Sequence, residues 1–290
     1  MNLAETLTAA AFLRDDGQFL AVGDHRQMPP ILQHTWDQAS RRDLARARPH
    51  LSIFAYLLEL GFVRTALDES FRLPAEVAAF LHRHVYAQDG IAFHSQNRQR
   101  LPTVELADGW LRHALAPEHP MILIEHNDDS SQQVNACEAL VIEALARAAV
   151  EQLRLDAHTG LGIVVPHRAQ KVFLQTRLPH LASAVDTVER FQGGERDLII
   201  VSATVSDLVY AQSESDFLLE PRRLTVAVSR PKRKLIVLAS QALFTLMPAD
   251  LDDYERSALW KQLRHACASS PLWTGEFEGY QLRVLTVPAT

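Results

Sequence analysis

The chain has 290 residues, 47% of them hydrophobic and 22% charged, with a formal net charge of −6, which excludes a disordered polymer and leaves length for one large or two modest domains. The acidic excess excludes a protein that coats nucleic acid by bulk electrostatics, though a narrow basic groove is compatible with it. No apolar run approaches the ~20 residues of a membrane span and no basic leader opens the chain, so a cytoplasmic protein without membrane contact is expected.

Cys137 and Cys267 lie far apart without metal-ligand spacing, and His82 and His84, two residues apart, would point to different faces of a helix. Neither a disulfide framework nor a metal site is expected.

In chain order, the apolar run QFLAV at 18–22 reads as a buried strand that runs out into GDHRQMPPI. Gly23 allows a sharp exit, Asp24 and His25 can fix the loop, and the amide of Gln27 can meet a phosphate oxygen or a water. Read alone, the segment is equally an ordinary strand-to-loop turn. A Pro-Pro turn, an Arg-rich polar stretch at 40–48 and a helix over 51–60 follow, and this front section looks like the tail of a preceding domain.

The next segment, LDESFRLPAEV, places Arg72 at the entry to a helix that runs through Val77, Phe80 and Leu81. An arginine on a fixed base can aim its five-donor fork at an anion; a solvent-facing side chain is the plain alternative.

From residue 121 onward, short apolar runs alternate with helical segments: MILIE, GIVVP, DLIIVSA and KLIVLAS. Strands buried on both faces read this way in a parallel sheet. Between the first two, residues 132–153 carry Val134, Cys137, Val141, Ala144 and Ala148 on one stripe, an amphipathic crossover helix. The alternation predicts an α/β fold, a parallel sheet with helices on both faces and ligand-bearing loops at the carboxyl ends of its strands.

Three further segments fall on such loops. In GIVVPHRAQKVFL, His167, Arg168 and Gln170 open a helix, which suits a phosphate backbone or, as readily, plain capping. In VDTVERFQGGERDLIIVSAT, Gly193 and Gly194 form a turn that permits close backbone approach to a ligand, if it is more than a turn. In EPRRLTVAVSRPKRKLIVLAS, Arg230 follows the apolar stripe Leu224, Ala227 and Val228; it reaches across a cleft or answers the helix macrodipole. Beyond residue 244, DLDDYERSALWKQLRHACAS reads as one amphipathic helix, and the run at 282–287 as a last strand.

Taken in order, from residue 18 to about 240, the five segments resemble the later motifs of superfamily 1 helicases of the nonsense-mediated-decay type. The family pattern of GDxxQLPP, an aromatic-Arg element before a helix, PYRAQ, TVDxFQGxExD and RRLNVAxTRA stands here as GDHRQMPP, SFRLP, PHRAQ, TVERFQGGERD and RRLTVAVSRP. Departures are Thr225 for the usual Asn, Pro231 for Ala, and Leu73-Pro74 for His-Pro.

The resemblance implies a RecA-like sheet at 69–246, preceded at 1–68 by the remnant of a first RecA-like domain and followed by a helix-and-strand extension at 247–290. It implies that Gln27 senses the γ-phosphate and that Arg72 and Arg230 act as arginine fingers. Gly23, Asp24, Gly194 and Glu195 are then nucleotide-binding, and Pro29, His167, Arg168 and Thr187 hold the backbone of single-stranded DNA or RNA. ATP and Mg²⁺ are the implied cofactors.

One family part is missing from the sequence. A P-loop needs Gly-Lys-Ser/Thr to grip the β- and γ-phosphates, and none of the lysines, Lys171, Lys232, Lys234 and Lys261, follows a glycine or precedes Ser or Thr. By family spacing the Asp-Glu pair that holds Mg²⁺ falls just before Met1. The expectation is therefore the C-terminal part of an ATP-dependent helicase, from a truncated gene, an internal start or a split protein whose P-loop half is another chain. As an isolated polypeptide it is expected to be inactive. The alternative is a non-motor nucleic-acid-binding or regulatory module derived from a helicase. An unrelated α/β enzyme finds no support, since there is no nucleophile elbow, Cys-His pair or metal cluster in the sequence.

Overall fold

The computed structural model describes residues 3–29, 52–107, 109–248, 250–267 and 270–288, so the Arg-rich stretch at 40–48 lies outside the described residues. The chain folds as two compact units, Met1–Leu67 and Asp68–Thr290.

In the first unit, helix α1 spans Leu3–Ala10 and helix α2 spans Ile53–Glu59. Ser52 caps α2, its hydroxyl oxygen accepting from the Ala55 amide. The strand expected at 18–22 is not formed, and Phe19, Leu20 and Val22 are exposed. A buried strand needs neighbours to pair both its edges and cover its faces, and the described residues of this unit contain no strand.

The second unit begins with β1 (Glu69–Ser70), helix α3 (Ala75–Leu81) and β2 (His94–Ser95), the two short strands pairing in parallel. Helix α4 (Trp110–Leu115) leads into β3 (Met121–His126), followed by α5 (Ala136–Glu151), β4 (Leu161–Val165) and α6 (Arg168–Arg177). Next come β5 (Val185–Thr187), the four-residue helix α7 (Val188–Phe191) and β6 (Arg196–Ser202). Helices α8 (Leu208–Ser213), α9 (Ser215–Leu218) and α10 (Pro221–Val228) precede β7 (Pro231–Ser240). Helices α11 (Gln241–Thr245) and α12 (Leu251–Ala266) and the hairpin β8 (Trp273–Phe277) and β9 (Tyr280–Thr286) complete the unit.

Seven strands form one sheet in the order β5-β4-β6-β7-β3-β9-β8. The first five are mutually parallel, while β9 runs antiparallel to β3 and β8 antiparallel to β9. Every residue of β3 and β4 is buried, as the continuous apolar runs require of a sheet covered on both faces. Ile122, Ile124, Ile163, Ile200 and Ile236 share one core cluster with Ile142 and Leu145 of α5 and Leu174 of α6. The RecA-like α/β architecture is therefore present.

The crossover helix is shorter than its stripe predicted: Val134 lies outside it and is exposed. Asn135 is the cap, its Oδ1 accepting from the Glu138 amide at 2.8 Å. Among the described residues no helix is long and apolar enough to cross a membrane.

Lys234, in β7, is wholly buried, and its ammonium donates to the carbonyls of Ala116 at 2.6 Å and His119 at 2.5 Å, just past the end of α4. Burial pulls its pKa down from 10.5 to about 7, with Glu118 opposing and Arg100 assisting. Between pH 7 and 10.5 the unfolded chain then binds the proton that the folded chain has released, so this group makes stability rise with pH across that window. Thermal unfolding at about pH 7, 8.5 and 10 is expected to show the rise, and Lys234→Met to flatten it; an equal slope in both proteins would remove Lys234 as its source.

The topology corrects one expectation. Not all motif loops of this unit lie at carboxyl strand ends: Pro166–Arg168 and Thr187 do, but Glu195 and Arg230 immediately precede β6 and β7, whose first residues, Arg196 and Pro231, are register partners. The motif residues of this unit thus lie at two rims of the sheet.

Candidate functional site

In the first unit the Gly23–Pro29 loop is a turn built by Asp24. Its carboxylate accepts from the Arg26 amide and from the Gln27 side-chain amide, both at 2.9 Å, and its carbonyl accepts from the Gln27 backbone at 3.2 Å. The carboxamide of Gln27 is therefore aimed by Asp24. A side chain at Gly23 would meet the ring of Phe54 at 3.3 Å, and the same ring stacks with His25 at 6.3 Å between centroids. Pro29 follows on the exposed side of this turn.

At the amino rim of the second unit, Arg72 and Arg230 converge on the C-terminus of α10. A helix end leaves carbonyls unpaired and carries partial negative charge. Here the Val226 carbonyl accepts from the Ser229 hydroxyl at 3.0 Å and from Nε of Arg230 at 2.9 Å. The Ser229 carbonyl accepts from Nη2 of Arg72, also at 2.9 Å. Two guanidinium groups far apart in the unit's sequence are thereby held at one helix terminus. Arg230 is only 3% exposed, and Pro231 after it restricts its backbone to extended conformations.

Glu195 completes the group, its carboxylate 3.8 Å from Nη1 of Arg72 and 3.6 Å from the Lys232 ammonium. Its side chain is half exposed, so these pairs are weak and easily exchanged. The turn before it needs Gly193, whose φ is +85°, while the Gly194 amide donates to the Phe191 carbonyl at 2.9 Å. The Arg196 amide donates to the Arg230 carbonyl at 3.2 Å, tying this turn to the arginine.

At the carboxyl rim, His167 occupies the N-cap position of α6 without a side-chain capping hydrogen bond, and its ring stacks on Phe217, 5.3 Å between centroids at 28°. On Phe217 also rests the guanidinium of Arg223, 3.9 Å from the ring centroid and paired with Glu189. Burial, then the Arg223 charge, lowers the His167 pKa and favours a neutral ring. Arg168 is exposed on the first turn of α6. Thr187 is nearly buried at the end of β5; its amide donates to Asp186 at 2.8 Å, and Asp186 also receives Lys171 at 2.7 Å.

Two groups of residues went unread in the sequence. Asn97, joined to the arginine loop, sits in an all-polar run with no periodic signal. Glu138 is wholly buried and binds His126 Nε2 at 3.1 Å, the Thr204 amide at 3.0 Å and the Ser202 hydroxyl. Asn135-x-x-Glu138 is a capping-box pattern, but the glutamate turns into the core, and the Asn135 amide is taken by Gln170 Oε1 at 3.0 Å instead. Thr204 has a φ of +63°, costly for a β-branched residue, and is held there by Glu138 at its amide and by Asn135 at its carbonyl.

The AAA domain family matches residues 50–242. The chain is similar to the DNA replication ATP-dependent helicase/nuclease JHS1 of Arabidopsis thaliana, 25% identical over 241 residues, which are 79% of this chain and 17% of that protein. It is also similar to the regulator of nonsense transcripts 1 homolog of Drosophila melanogaster, 25% identical over 245 residues, 77% of this chain and 19% of that protein. With the probable helicase senataxin of Homo sapiens the identity is 23% over 259 residues, 84% of this chain and 9% of that protein. The chain thus spans less than a fifth of each of these curated relatives.

Proposed function

The chain belongs to the AAA domain family in its superfamily 1 helicase C-terminal form, and from that premise we propose that it supplies the phosphate-sensing and nucleic-acid-gripping parts of an ATP-driven helicase or translocase. The observation that carries this reading is the convergence of Arg72, Arg230 and Glu195 on one rim of the sheet, with His167, Arg168 and Thr187 on the other.

Hydrolysis by water spreads charge over the γ-phosphate oxygens, and preorganised guanidinium groups stabilise it. Arg72 and Arg230 are the fingers in this reading and Gln27 the γ-phosphate sensor; Gly23 and Asp24 shape its loop, and Gly194 and Glu195 meet the nucleotide's sugar and phosphate edge. The donor set of the amino rim is cationic and fits phosphate oxygens. Ligands for Mg²⁺ are assigned mostly to the P-loop part, whose hydroxyl and acidic residues hold the ion in phosphoryl-transfer sites of this kind. Within this scheme residues 1–68 are the remnant of a first RecA-like domain, 69–246 the second, and 247–290 an extension.

His167, Arg168, Thr187 and Pro29 hold the sugar-phosphate backbone, contacts that suit a motor indifferent to sequence. Arg168→Ala is expected to weaken single-stranded oligonucleotide binding roughly tenfold, the order of one charge-assisted hydrogen bond, and to cut the slope of log affinity against log salt by about 0.7. Fluorescence anisotropy over a salt series measures both, and an unchanged slope would remove Arg168 from the track.

The deciding assay is ATP turnover with single-stranded DNA or RNA, with and without a supplied P-loop half. Turnover only in the reconstituted sample supports the motor reading, and robust turnover by this chain alone overturns the assignment of phosphate gripping to another part. Oligonucleotide binding with no turnover in either sample would instead favour a non-motor clamp.

A further inference from the structure

The loop bearing Arg72 is fastened by a residue that belongs to none of the motifs. Asn97 is 6% exposed, and its side-chain nitrogen donates to two carbonyls at once, that of Arg72 and, at 2.6 Å, that of Lys232. Its Oδ1 accepts from the Gln99 amide at 2.8 Å, and its own amide donates to the Ser95 hydroxyl oxygen at 3.1 Å. That hydroxyl lies 2.6 Å from the Leu73 carbonyl and 3.0 Å from the Ser70 carbonyl. Both amide hydrogens and the amide oxygen of Asn97 are thus used.

We propose that Asn97 is a positioning residue that sets the placement of Arg72 relative to Arg230; this rests on the reading of both arginines as phosphate-facing. Arg72 grips the chain one residue before Arg230, through the Ser229 carbonyl. Asn97 grips it two residues after, through the Lys232 carbonyl, and holds the Arg72 carbonyl with the same nitrogen. The backbone that carries Arg230 is bracketed by two cross-links, both of which end on residue 72. A space-filling role would need only the shape of the side chain; this role needs an N–H₂ group facing two acceptors.

That chemical demand makes the inference testable with an isostere. Asn97→Asp keeps the shape but sets a carboxylate oxygen against two carbonyl oxygens, a repulsion that protonation of the new acid relieves in part by restoring one O–H donor. In the 290-residue chain, side-chain NMR reads the Arg72 guanidinium, whose rotation about Cζ–Nη2 is slowed by the Ser229 carbonyl. The slowed signal is expected to be lost in Asn97→Asp at about pH 8, partly regained as the pH falls towards the carboxylate range, and absent at every pH in Asn97→Ala. Asn97→Ser, with one hydroxyl donor and no charge conflict, is expected to give an intermediate signal and serves if Asn97→Asp does not fold. A slowed signal equal to that of the parent in both Asn97→Ala and Asn97→Ser overturns the proposal.

A second arm uses the protein reconstituted with a P-loop half. Asn97→Asp is expected to lower kcat roughly a hundredfold with KM unchanged, the scale of a small misplacement of a catalytic group. If Arg72→Ala and Arg230→Ala leave turnover intact, the functional reading of the arginines fails, while the NMR arm still decides whether Asn97 positions Arg72.

Discussion

Replacing Arg230 by alanine is expected to lower ATP turnover of the reconstituted protein by about a thousandfold or more, the scale on which arginine fingers act. The geometry explains why the loss should fall on chemistry. Nε of Arg230 is spent on the Val226 carbonyl, which fixes the plane of the guanidinium and so sets the edge that the proposed finger would present to the γ-phosphate oxygens. Arg230→Lys keeps the charge but loses the planar fork and the Nε anchor, so it should recover little of the loss. Oligonucleotide affinity should change less than about twofold in both variants, because Arg168 and Thr187, the residues proposed to meet the nucleic-acid backbone, stand on the opposite rim. Steady-state turnover with saturating single-stranded nucleic acid is the measurement; a variant within about tenfold of the parent would deny Arg230 a role in the transition state.

Glu138→Ala carries the largest expected cost in stability, about 3–5 kcal/mol, from leaving buried polar groups unsatisfied at about 1–3 kcal/mol each together with the loss of the packed side chain. The carboxylate serves His126, Ser202 and the Thr204 amide together, so its loss leaves the buried His126 Nε2 and Thr204 amide without this partner and removes one of the two restraints on the strained φ of +63° at Thr204. For a unit of this size each kcal/mol corresponds to about 2–4 °C in Tm, which makes the expected drop on the order of 10 °C by circular dichroism. Glu138→Gln, which keeps the shape and one acceptor oxygen, should lose less. A drop below about 3 °C for Glu138→Ala would mean that the network contributes little to stability.

The core of this architecture was readable because strands buried on both faces leave continuous apolar runs, and MILIE, GIVVP, DLIIVSA and KLIVLAS each became a central strand. The same rule misled at QFLAV, since an apolar run marks a strand only where other strands pair with it. The hairpin strand Trp273–Phe277 was missed for the opposite reason: an edge strand is only half covered, and Gly275 and Glu276 blur its alternation. The division of the Thr187–Glu195 motif between the two rims was hidden by α7, which is too short to show helical periodicity yet carries the chain from the end of β5 to the start of β6. The motif residues were visible as types in order; Asn97 and Glu138 were not, because their roles come from contacts with residues far away in sequence.

The passage from Thr187 to Glu195 connects the two rims directly. Thr187 stands level with the end of β4 and Leu198, just past Glu195, with its start. Thr187 and Leu198 are therefore separated by the length of β4, about 13 Å. Its middle is clamped, with Phe191 buried beneath the Arg196 guanidinium and Glu189 paired with Arg223. The chain thus passes from one rim of the sheet to the other within a few residues, with the middle of the passage held against its neighbours at Glu189 and Phe191.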